Sequence, residues 1–238
     1  MRGYLAVIAW YHKMNNFQDP TLALPIQRML VGAKHVQPAR TQLSPITRDI
    51  LHKMVDNAKI VFSEYEATLT IALLLFMYHC CLRASEAMIS NNAEHTVYIE
   101  NMNLIKSETG TKLSVKLTSY KHSDAGSEFI LCSHADVTYC PVTAMLNFLK
   151  LRGTENGLFF IHQNKKPVRR EYLAKQIKFL ISSMKLDPNN YNTHSLRAGR
   201  ATDLAVAGTP EAIIKQTGRW KSPAFLKYVR FDCFMLPE

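Results

Sequence analysis

The chain has 238 residues, of which 47% are hydrophobic and 20% are charged. This composition excludes a disordered or fibrous protein, and the length suffices for one large domain or two small ones. Its 29 Lys and Arg residues exceed its 19 Asp and Glu residues, which gives a net charge of +10. The surplus predicts an anionic partner, namely nucleic acid, a membrane surface or an acidic protein.

The sequence indicates neither a membrane span nor a disulfide framework. The longest apolar run, residues 71–78, is far shorter than the about 18 residues that a membrane-spanning helix needs. Residues 4–11 look partly like a signal peptide, but no A-x-A cleavage site follows, and their spacing favours an amphipathic helix. The five cysteines are odd in number and form no CxxC pair, which favours a reducing intracellular compartment. Cys132, His134 and Cys140 lack a fourth zinc ligand at a suitable spacing.

Apolar periodicity and turn residues predict helices, then a small sheet, then helices again. In chain order we expect helices over 3–16 and 24–35, a linker over 36–47, a helix opened by Ser44 and Pro45, an apolar helix over 66–82, a short helix from about 84, strands over 95–104, 112–120 and 127–133, a helix from Pro141 to about Leu151, a strand over 157–161 and four helical pieces from about 169. This order predicts an α+β fold, mainly helical, with a small antiparallel β-meander.

The polar and aromatic residues of interest cluster near the end of the chain. His194 and Arg197 are three residues apart, so one helix face presents both. Trp220, in the run that begins at Gly218, follows Arg197 by 23 residues, and Tyr228 follows Trp220 by 8. Each of these residues alone is more often an ordinary surface or core group than a catalytic one.

Taken together, these motifs resemble the tyrosine recombinase family, also called the phage-integrase or λ-integrase-like family. The matching features are an H-x-x-R box, a G-[HR]-[WH] box and a following tyrosine, together with an L-R-x-x-E box at residues 82–86 and a hairpin lysine, Lys121. The resemblance covers about residues 43–231. The wording of residues 194–230 is most similar to recombinases of eukaryotic mobile elements, the Crypton and DIRS/Ngaro types.

The resemblance implies a DNA strand transferase that needs neither metal nor ATP, and therefore no cofactor. The hydroxyl of Tyr228 would attack a phosphodiester and form a 3′-phosphotyrosine with a free 5′-hydroxyl. Arg83 and Arg197 would stabilise the negative charge of the transition state. His194 would bind the phosphate or accept the tyrosine proton, and Lys121 would protonate the leaving 5′-oxygen.

Two further residues would complete the catalytic centre. Trp220 would donate its indole N–H to the phosphate or buttress the site, since an indole cannot relay a proton. Glu86 would orient the basic residues. Lys106, Lys112 and Lys116 compete with Lys121 for the role of the general acid, whereas Tyr120 and Tyr191 are weaker nucleophile candidates because neither follows the tryptophan box.

The resemblance also implies two domains. Residues 43–238 would form the catalytic domain, and residues 1–42 would form part of a helical (SAM-like) core-binding domain, which suggests a truncated or degenerate copy. Arg200 stands where members of the family usually carry a small residue, so it is expected either to contact DNA or to disturb the packing of its helix.

The expected partner is double-stranded DNA, bound by a homo-oligomer, either a dimer or a tetramer. No membrane and no small-molecule substrate is expected, and the location would be intracellular and DNA-associated, or nuclear if the host is eukaryotic. The expected DNA contacts are Lys13, Arg28, Lys34, Arg40, Lys165, Lys166, Arg169, Arg170 and Arg219. Two other functions stay open: a catalytically inactive, truncated DNA-binding remnant of such a recombinase, and a type IB topoisomerase.

Overall fold

A computed structural model describes residues 2–36, 43–89, 96–107, 110–118 and 126–230. The chain divides into two compact units, Met1–Gln42 and Leu43–Glu238. No helix among the described residues has the length and apolar character needed to cross a membrane.

The first unit consists of helix α1 (Arg2–Met14), a 3₁₀ turn (Pro20–Leu22) and helix α2 (Leu24–Val36). Asp19 starts the turn, because its carboxylate accepts hydrogen bonds from the N–H and the hydroxyl of Thr21 at 2.8 and 2.6 Å. Most apolar side chains of this unit are exposed, whereas Thr21 is buried.

The second unit is built around helix α4. Its helices are α3 (Arg48–Val61), α4 (Glu64–His79), α5 (Ala84–Ala87), α6 (Pro141–Arg152), α7 (Arg170–Ser183), α8 (Thr193–Val206) and α9 (Glu211–Gly218), with 3₁₀ turns at Ile99–Asn101, Pro188–Asn190 and Pro223–Lys227. Every residue of α4 from Leu69 to Tyr78 is buried. A helix that is apolar on all sides must be covered all round, and α3, α6, α7 and α8 pack against α4.

A three-stranded antiparallel sheet lies beside this helical core. Its strands β1 (Met102–Ser107), β2 (Gly110–Leu117) and β3 (Ser127–Cys132) follow each other in space as they do in sequence. The alternating residues Leu113, Val115 and Leu117 of β2 are buried, and β2 packs on α6. The predicted fold class, mainly helical with a small antiparallel meander, is confirmed.

Three local predictions are wrong. The first strand begins at Met102, because Ile99–Asn101 form a 3₁₀ turn inside the strand predicted over 95–104. Helix α3 begins at Arg48 and not at Ser44 or Pro45, because residues 43–47 run extended and Ile46 donates its N–H to the Ser195 carbonyl at 2.9 Å. The non-helical segment therefore reaches Thr47, the C-terminal end of the predicted linker. Residues 157–161 form isolated bridges in place of a strand. An apolar run predicts burial, but periodicity alone does not assign its backbone conformation.

Gly199 on α8 lies against this extended segment. A Cβ atom at Gly199 would lie 1.7 Å from the Ile46 carbonyl oxygen. No side chain fits at that distance, and the obstacle is backbone, which cannot rotate away as the end of a side chain can.

We expect Gly199→Ala to destabilise the second unit by about 3 kcal/mol, because the added methyl group forces α8 away from residues 43–47. Urea unfolding followed by circular dichroism measures the change. Gly32→Ala is the control, since a Cβ there meets no atom within 4 Å and alanine favours a helix. Unchanged stability of Gly199→Ala would contradict the close approach.

Candidate active site

Arg197 lies at the centre of the candidate site and is fully buried. The start of its helix is fixed by Asn192, whose side-chain oxygen accepts the N–H of His194 at 2.7 Å. Two nitrogens of the Arg197 guanidinium donate to the carbonyls of Cys81 and Gly218, each at 2.5 Å. Arg197 thereby ties α8 to the turn after α4 and to the end of α9.

Trp220 and Tyr228 cover the same guanidinium. Its central carbon lies 4.3 Å from the centre of the Trp220 ring and 5.6 Å from that of the Tyr228 ring, and the two rings are 5.3 Å apart. Thr202 on α8 donates its hydroxyl to the Tyr228 carbonyl at 3.2 Å. Three residues that the sequence places up to 31 positions apart thus meet in one cluster.

The donors of Arg197 are only partly used. Its Nε has no hydrogen-bond partner among the described residues, although it is buried. Burial also lowers the pKa of Arg197, yet arginine keeps its charge at neutral pH. A buried, charged donor without a partner is unfavourable, so this atom indicates an acceptor outside the described residues.

Arg152 provides an internal comparison. It is also buried, but its Nε and both of its terminal nitrogens donate to backbone carbonyls, among them those of Phe159 at 3.3 Å and Leu158 at 2.5 Å. A purely structural arginine in this fold therefore uses all three nitrogens, which Arg197 does not.

Glu86 joins two further arginines to the site. Its carboxylate is 1% exposed and accepts hydrogen bonds from the N–H and the guanidinium of Arg83, each at 2.8 Å. It also pairs with Arg219 at 2.6 Å. Arg219 lies at the end of α9 with a left-handed φ of 56°, and its guanidinium lies 4.6 Å from the centre of the Phe129 ring on β3. The side chain of Arg83 stays 23% exposed, so it is accessible to a ligand.

We expect Glu86→Gln to destabilise the fold by about 3 kcal/mol, because it removes the only negative charge that the described structure places between Arg83 and Arg219. Urea unfolding of the variant measures the change. Glu211→Gln is the matched control, since the Glu211–Lys215 pair is largely exposed and such pairs contribute little. Equal stability losses for both variants would contradict the structural role of Glu86.

The other predicted site residues are placed less centrally. His194 is exposed at the start of α8, one turn before Arg197. Lys121 and Arg40 lie outside the described residues. Of the predicted DNA contacts, Arg219 is turned inward, with 9% of its side chain exposed. The remaining described ones divide between α1 and α2 (Lys13, Arg28, Lys34) and the region before and at the start of α7 (Lys165, Lys166, Arg169, Arg170).

Sequence reasoning missed the groups that hold Arg197 in place. These are the backbone carbonyls of Cys81 and Gly218, which no side-chain pattern indicates. It also missed the hydroxyl of Thr202, because a threonine in a helix carries no distinctive signal. Among the described residues, no group of three or more His, Cys, Asp or Glu side chains is arranged to hold a metal ion.

No family model matches the sequence, and no curated protein does. Solved structures do match. The XerH site-specific recombinase bound to its difH substrate in a pre-cleavage complex has a TM-score of 0.60 and 16% identity, over 80% of this chain and 51% of that one. The Tn1549 transposon integrase in complex with circular intermediate DNA has a TM-score of 0.57 and 13% identity, over 94% and 72%. A λ integrase dimer bound to a COC′ core site has a TM-score of 0.53 and 11% identity, over 87% and 54%.

These similarities define the fold. The described chain has the fold of a tyrosine recombinase catalytic domain, with the helical frame and three-stranded antiparallel sheet described above. The chain spans about half the length of the XerH structures that it matches.

Proposed function

We propose that the chain is a site-specific DNA recombinase that cleaves and rejoins duplex DNA through a 3′-phosphotyrosine. The observation that carries this proposal is the buried Arg197, whose Nε has no partner within the described part of the chain and whose guanidinium lies beneath the ring of Tyr228. A phosphate is the ligand that a forked, buried cation beside a nucleophilic hydroxyl fits best.

In the proposed reaction the Tyr228 oxygen attacks the phosphorus and the bond to the 5′-oxygen breaks. The tyrosine proton passes to His194, and the leaving 5′-oxygen takes a proton from Lys121. Arg83 and Arg197 stabilise the charge on the non-bridging oxygens, and Glu86 holds Arg83 in position. Because the phosphotyrosine retains the bond energy, a free 5′-hydroxyl reverses the step without ATP.

Charge and fold neighbours support DNA as the partner. The chain carries a net charge of +10, and the solved XerH, Tn1549 and λ integrase structures of the same fold are bound to DNA. The two-helix unit would contribute one DNA-facing arm, and a dimer or tetramer would assemble on the site. The similarity to Crypton and DIRS/Ngaro recombinases and the Tn1549 integrase neighbour both favour a mobile-element origin.

The proposal is tested with a pool of nicked duplexes of random sequence. These trap covalent intermediates because the short fragment that carries the free 5′-hydroxyl, between the cleavage site and the nick, diffuses away. After denaturation, DNA that stays attached to protein is sequenced, and the modified peptide is identified by mass spectrometry. We expect enrichment of one sequence and a nucleotide attached to Tyr228. Attachment at another residue, or no adduct, would contradict the proposal. Relaxation of supercoiled plasmid without sequence preference would instead assign a type IB topoisomerase.

One observation favours a second function, a non-catalytic DNA-binding protein. The Arg197 side chain is 0% exposed, so a phosphate reaches it only if the rings of Trp220 or Tyr228 move. Salt-dependent binding of duplex DNA, with no adduct in the pool experiment, would decide for this function.

A further inference from the structure

A cavity of about 400 Å³ lies at the meeting point of α3, α4, α8 and the segment before α6. Its lining residues are Arg48, Leu51, His52, Tyr78, His79, His134, Asp136, Tyr139 and Arg200. None of the residues assigned to the reaction above lines it.

Arg200 is the residue of this cavity that most needs a ligand. It follows Arg197 by three residues on α8, and its guanidinium lies 5.6 Å from the centre of the Tyr78 ring. Its Nε is buried and has no hydrogen-bond partner among the described residues. Arg200 therefore packs against α4 without breaking the helix, it lines the cavity, and its Nε has no acceptor among the described residues.

The other polar side chains of the lining donate from several directions. Arg48 stands at the start of α3, so it brings a second guanidinium from a different element. Burial lowers the pKa of His52, His79 and His134, that of His79 to about 3. These imidazoles are neutral at pH 7, and each then carries one N–H donor.

Carboxylates also stand near the cavity. Asp203 is not among the lining residues, but its carboxylate accepts hydrogen bonds from the Tyr78 hydroxyl and from the Arg48 N–H. Asp136 lines the cavity, is exposed, and accepts the N–H of Thr138 at 2.9 Å. The lining itself carries two guanidinium groups and one carboxylate.

We propose that this cavity is a binding site for a phosphate group, held by Arg200 and Arg48. A phosphate accepts several hydrogen bonds from different directions, which matches donors carried by α3, α4, α8 and the segment before α6. Its source is either free phosphate or a backbone phosphate of DNA. The proposal does not depend on the reaction at Tyr228.

The test measures two affinities of the full chain. Calorimetry with sodium phosphate at constant ionic strength probes free phosphate, and fluorescence anisotropy with a 20-base-pair duplex of arbitrary sequence probes the DNA backbone. The variants are Arg200→Gln and Arg48→Gln. Lys53→Gln is the matched control, because it removes one exposed positive charge from the same helix α3. Circular dichroism checks that each variant folds. Because Arg48 is exposed, the Arg48→Gln variant still tests the site if Arg200→Gln misfolds.

We expect each variant to weaken the affinity for one probe by about tenfold or more, the value of one lost charged hydrogen bond. Loss of calorimetric phosphate binding would assign a free phosphate. A tenfold rise of the Kd for DNA, with a salt slope lower by about 1 than that of the control, would assign the DNA backbone. If both variants bind both probes as Lys53→Gln does, the cavity is not a phosphate site and the proposal is wrong.

Discussion

Replacing Tyr228 by phenylalanine is expected to abolish the covalent protein–DNA adduct and to leave the fold and DNA affinity unchanged. The substitution removes only the hydroxyl, so the ring keeps its contacts with Trp220 and with the Arg197 guanidinium. The Tyr228 carbonyl also keeps its hydrogen bond from Thr202. Loss of a nucleophile typically lowers the reaction rate by at least about 10⁴-fold. After such a loss, no covalent adduct is visible on a denaturing gel.

Tyr191→Phe is the matched control for this variant. Tyr191 is buried just before α8 and lies outside the cluster around Arg197. We expect its variant to form the adduct at the rate of the unchanged protein. If Tyr228→Phe still forms an adduct while Tyr191→Phe does not, the nucleophile is Tyr191 and the proposed geometry is incorrect.

Replacing Arg197 by lysine is expected to lower the rate of adduct formation by roughly 10³-fold, close to the effect of removing a preorganised donor from an oxyanion site. Lysine keeps the charge but offers a single nitrogen. That nitrogen carries three N–H donors, but it cannot occupy both positions from which the two terminal nitrogens of Arg197 reach the Cys81 and Gly218 carbonyls. The contact with a phosphate is therefore disturbed. The rate is measured on a trapped substrate at saturating protein, so that a weaker DNA affinity does not contribute.

Arg152→Lys separates the chemical role of Arg197 from the structural role of a buried arginine. Both guanidinium groups are buried and donate to backbone carbonyls. We expect Arg152→Lys to lower the melting temperature but not the rate per folded molecule. Similar rates for the two variants would assign Arg197 to the fold alone.

The arrangement of Glu86 bears on how the site keeps its positive charge. One buried carboxylate contacts both Arg83 and Arg219, so it reduces the repulsion between them. Because Arg197 has no carboxylate in contact among the described residues, this site keeps more cations than anions near Tyr228. Such a surplus is suited to binding a phosphodiester.

The order of the boxes and the fold class followed from local sequence alone. Apolar periodicity predicted most helices, since a helix must bury one face. The strand character of residues 112–120 predicted strand β2, which the structure places at Gly110–Leu117. The strand predicted over residues 157–161 was wrong. Its apolar residues are buried by contacts with several elements, and periodicity does not encode such contacts.

Arg219 illustrates why side-chain roles were harder to predict. Its charge and position suggested a DNA contact, but the structure turns it toward Glu86, 133 residues earlier in the chain. Whether a basic side chain faces solvent or a distant carboxylate depends on which elements pack together. The residues next to Arg219 in the sequence do not indicate that it pairs with Glu86.

The sequence by itself thus determined the class of fold, because fold class depends on local periodicity. It also determined the boxes and their chain order, through the resemblance to the tyrosine recombinase family. Only the tertiary structure decided that Arg197 lies buried under Trp220 and Tyr228 with a donor unused, and that Arg200 stands beside a separate cavity. Both facts rest on contacts between segments far apart in the chain. Such contacts form only when the helices pack around α4, and local sequence does not specify them.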